Sequence, residues 1–404
     1  MEKLLIVLVI VLAVVGIAQL ARVYKLSSEL RKKREEDISP TTNRVNGNLL
    51  FIFMFLMFGF LIWHIVEYGD DLLPVSASEH GVKVDNLLNF NWAILFIVFF
   101  AVNFLLFYFA KKYAYDPNRK AYYLAHNNKL ELIWTAIPSV VLMIIIVYGL
   151  TIWNQIMDEP GEDAVVIELY SKQFDWTARY PGEDGKLGEA NFTLISPTNP
   201  LGLITDGVID EKIAELDEEI EDNKLSIANE ILPDSKVNDL EKEIGMRTRQ
   251  KARVMNYKDS DKDFTTSYDD RIVKGEFHIP VNQEVSFQIR SRDVIHSAYM
   301  PHFRAQMNAV PGMTTTFNFK PTITTDSMRT VVGDEEFNYV LLCNKVCGSA
   351  HYNMQMTIIV ETEDKYQEWL SQQKTFVKDD NAATKTAEEE VGEIVEERKI
   401  AVNN

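Results

Sequence analysis

The chemistry in this chain gathers at one place. Cys343, Cys347, His351 and Met354 follow one another as Cys-x3-Cys-x3-His-x2-Met, and His296 lies upstream in the run Arg292-Asp-Val-Ile-His296. Cys343 and Cys347 are the only cysteines, too few for a disulfide scaffold or a four-thiolate site. Singly, such residues are ordinary: paired cysteines in an exported domain usually form a disulfide, and a methionine is usually core. Together they make two thiolates, two imidazoles and a thioether. That set suits copper, with methionine as the weak ligand. Zinc would be satisfied by Cys2His2 and would leave Met354 without a role. Two thiolates bridging a pair of copper ions can share one electron over both metals, so geometry changes little on reduction. A closed set without an open position passes electrons and does not bind substrate. No Cys-x-x-Cys-His occurs, so no c-type haem is fused to the chain.

Such a loop needs a rigid frame outside the cytosol, and the rest of the sequence has that form. The net charge of −18, from 41 basic and 59 acidic residues, excludes nucleic acid as a partner. Apolar stretches crowd into residues 1–153 and charge follows from 154. Spanning a bilayer takes about 20 mostly apolar residues. Four segments come close: Leu4–Leu20, Leu49–Val66, Trp92–Ala110 and Leu132–Trp153, none carrying Lys, Arg, Asp or Glu. The connections 22–48 and 111–131 are basic, and the one after Val66 is acidic with Lys83 its single fixed cation. By the positive-inside rule the basic connections are cytoplasmic, and residues 154–404 lie outside. A cleaved signal peptide is the alternative for the first segment, but cleavage would send the large domain to the cytoplasm against the charge pattern. His64, near the outer end of the second span, reads as an interfacial or packing histidine.

Beyond Asn154 the apolar pattern shortens to alternation, as in Val285, Phe287 and Ile289, which reads as half-buried strands of a sandwich or barrel. Further strands are expected at Val165–Arg179, Thr314–Phe319, Asn338–Leu342 and Met356–Glu361, with turns at Pro181-Gly182 and Pro311-Gly312. Residues 207–256 carry helical spacing interrupted at Pro233 and read as an inserted helical hairpin, either a solvated pair or a partner-docking element. The expected organisation is an N-terminal helix with a basic cytoplasmic segment (1–48), a second helix with an outer loop (49–91), a transmembrane hairpin (92–153), a metal domain (154–372) and a mobile charged tail (373–404).

At this point the sequence resembles the subunit II family of haem-copper oxidases. The resemblance covers roughly 92–190 and 265–372, and rests on the Cys-x3-Cys-x3-His-x2-Met run, on Pro311-Gly312 and on Leu130-Glu131-Leu132-Ile133-Trp134-Thr135-Ala136-Ile137-Pro138. Beyond the four transmembrane helices read above, the first two of which depart from the family as the helical insert does, it implies an all-β cupredoxin barrel with a dinuclear copper centre, CuA, on the outer side of a bacterial inner membrane. It further implies docking on a subunit I that reduces oxygen with proton pumping, and a c-type cytochrome or docked haem protein as donor. His296, Cys343, Cys347, His351 and Met354 would be side-chain ligands, Lys345 would offer its carbonyl, and Glu131 would stand at the mouth of a proton channel or be an ordinary helix-end acid. The family's usual electron-receiving tryptophan is Phe174 here, in Gln173-Phe174-Asp175-Trp176, so an exposed Trp176 is the substitute expected. Lys345 replaces a usual glutamate whose carboxylate helps hold a magnesium or manganese ion. A copper-free quinol oxidase subunit would have an eroded ligand set, and a copper assembly factor would not need the hairpin at 92–153. Nitrous oxide reductase would need a further multi-histidine domain, and seven histidines do not supply one.

Overall fold

The computed structural model describes residues 2–30, 39–116, 118–120, 122–260 and 262–377. Helices α1 (Glu2–Leu30), α2 (Pro40–Tyr68), α3 (Glu79–Lys112) and α4 (Asn128–Met157) precede all the strands. Among the described residues α2 (extended to Asp71), α3 and α4 are long and apolar enough to cross a membrane. The expected first span, Leu4–Leu20, falls within α1, which is not one of these three. Part of the basic connection, residues 31–38, lies outside the described residues. Local chemistry starts two of the helices. Ser39 caps α2 by accepting the Thr42 N–H at 3.1 Å with Pro40 in the first turn, and Asn127 accepts the Lys129 and Leu130 N–H groups ahead of α4. In the first of two compact units, a Cβ at Gly47 would come 3.3 Å from the Lys111 Cα, and the Phe58 ring meets Phe100 edge-on at 4.7 Å.

The second unit comprises Pro74–Leu88 and the chain from Met143 onward. Its strands are β1 (Val165–Lys172), β2 (Asp175–Tyr180), β3 (Arg271–Lys274), β4 (Glu276–Pro280), β5 (Val285–Ser291), β6 (His296–Met300), β7 (Ala305–Ala309), β8 (Thr315–Phe319), β9 (Tyr339–Cys343) and β10 (Gln355–Glu361). Among the described residues they form two five-stranded sheets, ordered β3-β2-β1-β5-β8 and β4-β10-β9-β6-β7. The pairs β1/β5 and β4/β10 are parallel and the others antiparallel. Alternation supplies the core between them: Val285, Phe287 and Ile289 of β5 are fully buried, as are Phe277, Tyr339, Leu341 and Ile358 of the other sheet. The buried Tyr180 hydroxyl donates to the His278 carbonyl at 2.6 Å and so joins β2 to β4. The result is a cupredoxin-like β domain that follows a helical membrane region in the chain.

Helices α5 (Asp206–Asn229) and α6 (Asp234–Lys258) interrupt the strands, with Thr205 capping α5 and Pro233 preceding α6. They lie antiparallel, cross-linked by Lys258–Asp210, Lys251–Asp217 and Arg247–Glu219. Leu194, Ile204, Ile209, Leu216 and Val254 form a separate small core that ties their base to the preceding loop. Two short helices, α7 (Thr325–Val332) and α8 (Glu363–Ser371), complete the unit.

Two expectations need correcting. The stretch Val165–Arg179 is a hairpin of β1 and β2 with Lys172 opposite Asp175, not one strand. Its turn, Gln173-Phe174, has no local turn residue and is held by contacts from distant loops. The tail expected to be mobile from 373 remains attached through Val377: Thr375 bridges Arg271, and Phe376 N–H donates to the Asp270 carbonyl at 2.8 Å. The rest of that tail, 378–404, lies outside the described residues.

Segment 74–88 is stitched to the sheets by Arg304, whose left-handed backbone (φ 53°) aims its guanidinium at both Asp85 oxygens (2.8 and 2.9 Å) and the Pro74 carbonyl (2.6 Å). Deeper in the sheets, Arg179 is buried between Glu168 and Asp270, the latter at 2.7 Å, and Arg290 also pairs with Glu168. Burial raises the Asp270 pKa to about 6, with Arg179 and the Gly188 N–H pulling the other way. A carboxyl raised from an unfolded value of about 3.9 favours the folded state most at acid pH, and that contribution fades as pH rises through its folded pKa. Replacing Arg179 by leucine strands buried carboxylates and is expected to cost roughly 3–5 kcal/mol. Denaturant midpoints should show a larger loss at about pH 8 than at about pH 5, where Asp270 can take a proton; equal losses would contradict the ionised pairing.

Candidate metal centre

Two strand ends build the site. His296 opens β6 and Cys343 closes β9, and the register Ala298↔Cys343 brings them side by side. The chain then loops out through Cys347 and His351 and returns as β10, with Gln355 opposite Leu342. Cys343 N–H donates to the Met354 carbonyl at 3.0 Å, which closes the loop, and Asn344 N–H donates to the Ser297 carbonyl at 3.0 Å, which fastens it to β6.

The donor atoms converge in a chain of close contacts. Cys343 Sγ lies 3.8 Å from Cys347 Sγ and 3.8 Å from His296 Nδ1. Cys347 Sγ lies 3.5 Å from His351 Nδ1 and 3.8 Å from Met354 Sδ. The Lys345 carbonyl is 3.2 Å from Cys343 Sγ, while the Lys345 side chain is exposed. His296, Cys343, Cys347 and Met354 are buried, and His351 is half-buried. A disulfide needs sulfurs about 2.05 Å apart. Both cysteines are free, and burial together with the neighbouring Cys343 raises the Cys347 thiol to about 11. Metal binding there must displace protons. Each sulfur has an imidazole nitrogen beside it, with a thioether at one flank and a carbonyl at the other. That soft, closed set fits copper better than zinc, which has no use for the extra two donors.

Two residues that sequence reasoning did not single out hold these donors in place. Asp293 accepts hydrogen bonds from His296 Nε2–H at 2.9 Å, from the Gln173 N–H at 2.8 Å and from the Val294 N–H at 2.7 Å. Burial pushes the Asp293 pKa up, but these hydrogen bonds outweigh it and leave the carboxyl below its usual range. An anionic acceptor on Nε2 leaves the Nδ1 lone pair facing the thiols. Gln173 Nε2 donates to the Cys347 carbonyl at 2.5 Å, so the β1–β2 turn braces both loops. Gly348 makes this possible: its φ is 145°, and a Cβ there would lie 2.7 Å from the Phe174 ring. Only the position of Asp293, three residues before a candidate ligand, could have drawn attention to it.

The remaining expected residues separate from this cluster. Trp176 is not the exposed aromatic anticipated: it is fully buried, with its ring edge-on to His296 at 6.2 Å. An inward position on β2 takes it into the core, and half-buried Phe174 is the aromatic nearer the surface. Glu131 sits exposed in the first turn of α4, in the other compact unit.

Comparison with known proteins supplies the family. Residues 63–152 match the cytochrome c oxidase subunit II transmembrane domain, and residues 260–362 match its periplasmic domain. The alternative cytochrome c oxidase subunit 2 of Bradyrhizobium diazoefficiens is 30% identical over 294 residues, covering 72% of this chain and 81% of that protein. The chain belongs to the cytochrome c oxidase subunit 2 family. Other members are more distant: the subunit 2 of Thermostichus vulcanus is 26% identical over 319 residues (78% and 83% covered), and that of Cereibacter sphaeroides 24% over 297 (74% and 78%). Both family matches leave out residues 153–259, which include α5 and α6.

Removing the anionic acceptor with Asp293→Asn should loosen His296 and lower copper affinity by roughly 10–100-fold. Competition against a chelator reads this out, and an unchanged affinity would deny Asp293 a positioning role.

Proposed function

We propose that this chain takes electrons into a membrane-bound cytochrome c oxidase, receiving them from a c-type cytochrome or docked haem protein and handing them to the haem-copper subunit I. That partner reduces oxygen to water with proton pumping. The single observation that carries this reading is the pair of buried, unbonded sulfurs 3.8 Å apart, each with an imidazole beside it. A pair of copper ions held there would supply a one-electron couple spread over both metals and both sulfurs. His296, Cys343, Cys347, His351 and Met354 hold it by their side chains and Lys345 by its carbonyl. The strand ends and the Asp293–Gln173 brace keep these donors from rearranging, and their burial excludes water. Trp176 backs the His296 ring from the core, so a partner meets Phe174 instead.

The basic connections 22–48 and 111–131 favour a cytoplasmic position, with four retained spans and the β domain on the periplasmic side of a bacterial inner membrane. On that topology Glu131 faces the cytoplasmic surface, where it can load protons into subunit I. We read 207–256 as an insertion into the copper domain.

Copper analysis and the absorption spectrum of the purified full-length chain test the assignment. A pair of coppers per chain and a purple mixed-valence band are expected, and Cys343→Ser should abolish the band while the chain stays folded. One zinc per chain, or a Cys343–Cys347 disulfide in copper-replete protein, would contradict it.

Lys345 carries a second expectation. Its carbonyl can bind metal whatever the side chain, but an ammonium repels a divalent cation and offers donors where the ion needs oxygen. The magnesium or manganese of the family interface is therefore absent or weakened here, with the exposed Lys345 ammonium pairing with acids of subunit I. Enzyme from manganese-grown cells should lack a tightly held manganese spin-resonance signal; a stoichiometric one would show that the lysine displaces nothing.

A further inference from the structure

The helical insert carries opposite charge on its two outer edges. On α6, Lys242, Met246, Arg249 and Arg253 recur at helical spacing and share one exposed face. That face lies half a helical turn from Leu240, Arg247, Lys251 and Val254, which are buried or paired with α5. Arg249 and Arg253 have no ion pair among the described residues, and Lys242 meets Asp239 of its own helix at 3.5 Å with both side chains largely exposed. The acids Glu211, Glu215, Glu218 and Asp222 recur in the same way on the far edge of α5, so they do not neutralise this strip. Met246, 53% exposed, sets an apolar side chain in its middle.

The last described residues lie beside the base of this helix. Val377 N–H donates to the Tyr268 carbonyl at 3.0 Å, and the Tyr268 hydroxyl donates to the Asp206 carboxylate at 2.9 Å in the first turn of α5. One turn further on, Asp210 pairs with Lys258, the last residue of α6. Residues 378–404 therefore set out next to the C-terminal end of α6. From Thr386 to Glu397 their sequence holds Glu388, Glu389, Glu390, Glu393, Glu396 and Glu397 without a Lys or Arg, and Val391, Ile394 and Val395 stand among them. The stretch 378–387, fully extended, reaches about 33 Å. Lys242, the far end of the strip, is only about 24 Å along the axis from the end of α6. The strip and the acidic segment both lie outside the residues that the family domains match, 63–152 and 260–362.

We propose that residues 388–397 occupy the α6 strip of their own chain, with carboxylates on Arg249 and Arg253 and an aliphatic side chain on Met246. Exposed ion pairs are weak singly. The tether offsets this, because it holds the segment at a local concentration on the order of millimolar, where several weak contacts suffice. The segment thereby covers the cationic edge of the insert and screens it from other acidic chains.

Carbodiimide coupling, which joins a carboxylate to an amine in contact with it, reads this out in the purified full-length oxidase complex at low ionic strength. Peptide mass spectrometry is expected to find Glu388, Glu389, Glu390 or Glu393 linked to Lys242. These links should fall severalfold when coupling is carried out in about 1 M salt, where screening shortens to about 3 Å. Arg249→Glu combined with Arg253→Glu, both at exposed positions, should reduce them about tenfold with the copper absorption unchanged. No link to α6, links chiefly to another subunit, or a yield indifferent to the two substitutions would overturn the proposal. So would links between light and heavy chains in a mixed isotope-labelled sample, since a second copy would then be the occupant. Truncation after Val377 gives an independent measure: a fluorescein-labelled polyglutamate peptide should bind the truncated complex about tenfold more tightly than the intact one, and equal binding would show that the strip was never covered.

Discussion

Holding two cysteine sulfurs close without letting them bond is the constraint on which the rest of this structure depends. At 3.8 Å they are too far for a disulfide and too near to be independent. Both are buried, so the protein withholds water from groups that must lose protons to bind metal. A flexible loop would relax into a disulfide or splay apart. Cys343 is instead fixed as the last residue of a central strand, and Cys347 hangs from a loop closed at its base by the Cys343–Met354 hydrogen bond. The sheets, the β1–β2 turn and Gly348 serve this one geometry. Gln173 and Phe174 are packed so closely on the loop that a side chain at position 348 would displace them.

Cys343, Cys347, His351 and Met354 stand out in the sequence because their spacing is local, one strand end, one loop and a return strand, whereas His296 reaches them only through the β6–β9 pairing. The frame was legible where alternation was clean, as in β5, β8, β9 and β10. What could not be read depended on contacts between distant segments. The turn at Gln173-Phe174 has no glycine, proline or asparagine to mark it, because Asp293 and Cys347 supply its hydrogen bonds from more than a hundred residues away. Asp293 carries no local signal beyond standing three residues before His296. Trp176 was assigned to the surface by analogy with its neighbour, but strand alternation turns it inward. Thr375–Val377 pairs with residues near Asp270 although composition there resembles the tail that follows.

Charge is distributed with the same economy of position. Arg179 and half-buried Arg290 pair with Glu168 and Asp270, so these charges are matched one for one. Arg292, one residue beyond that network's strand, is exposed and has no ion pair among the described residues. The pairs between α5 and α6 likewise satisfy one another, Lys251 with Asp217 and Lys258 with Asp210, so that part of the chain joins as a rigid arm through its small core.

Spin-resonance spectroscopy of the copper-loaded chain tests the central claim most directly, because its hyperfine pattern reports how many nuclei share the electron. The account predicts the pattern of one electron shared between a pair of equivalent copper nuclei, held by two bridging sulfurs. A pattern from a single copper nucleus, or a silent spectrum from protein that retains its metal under oxidising conditions, would contradict it.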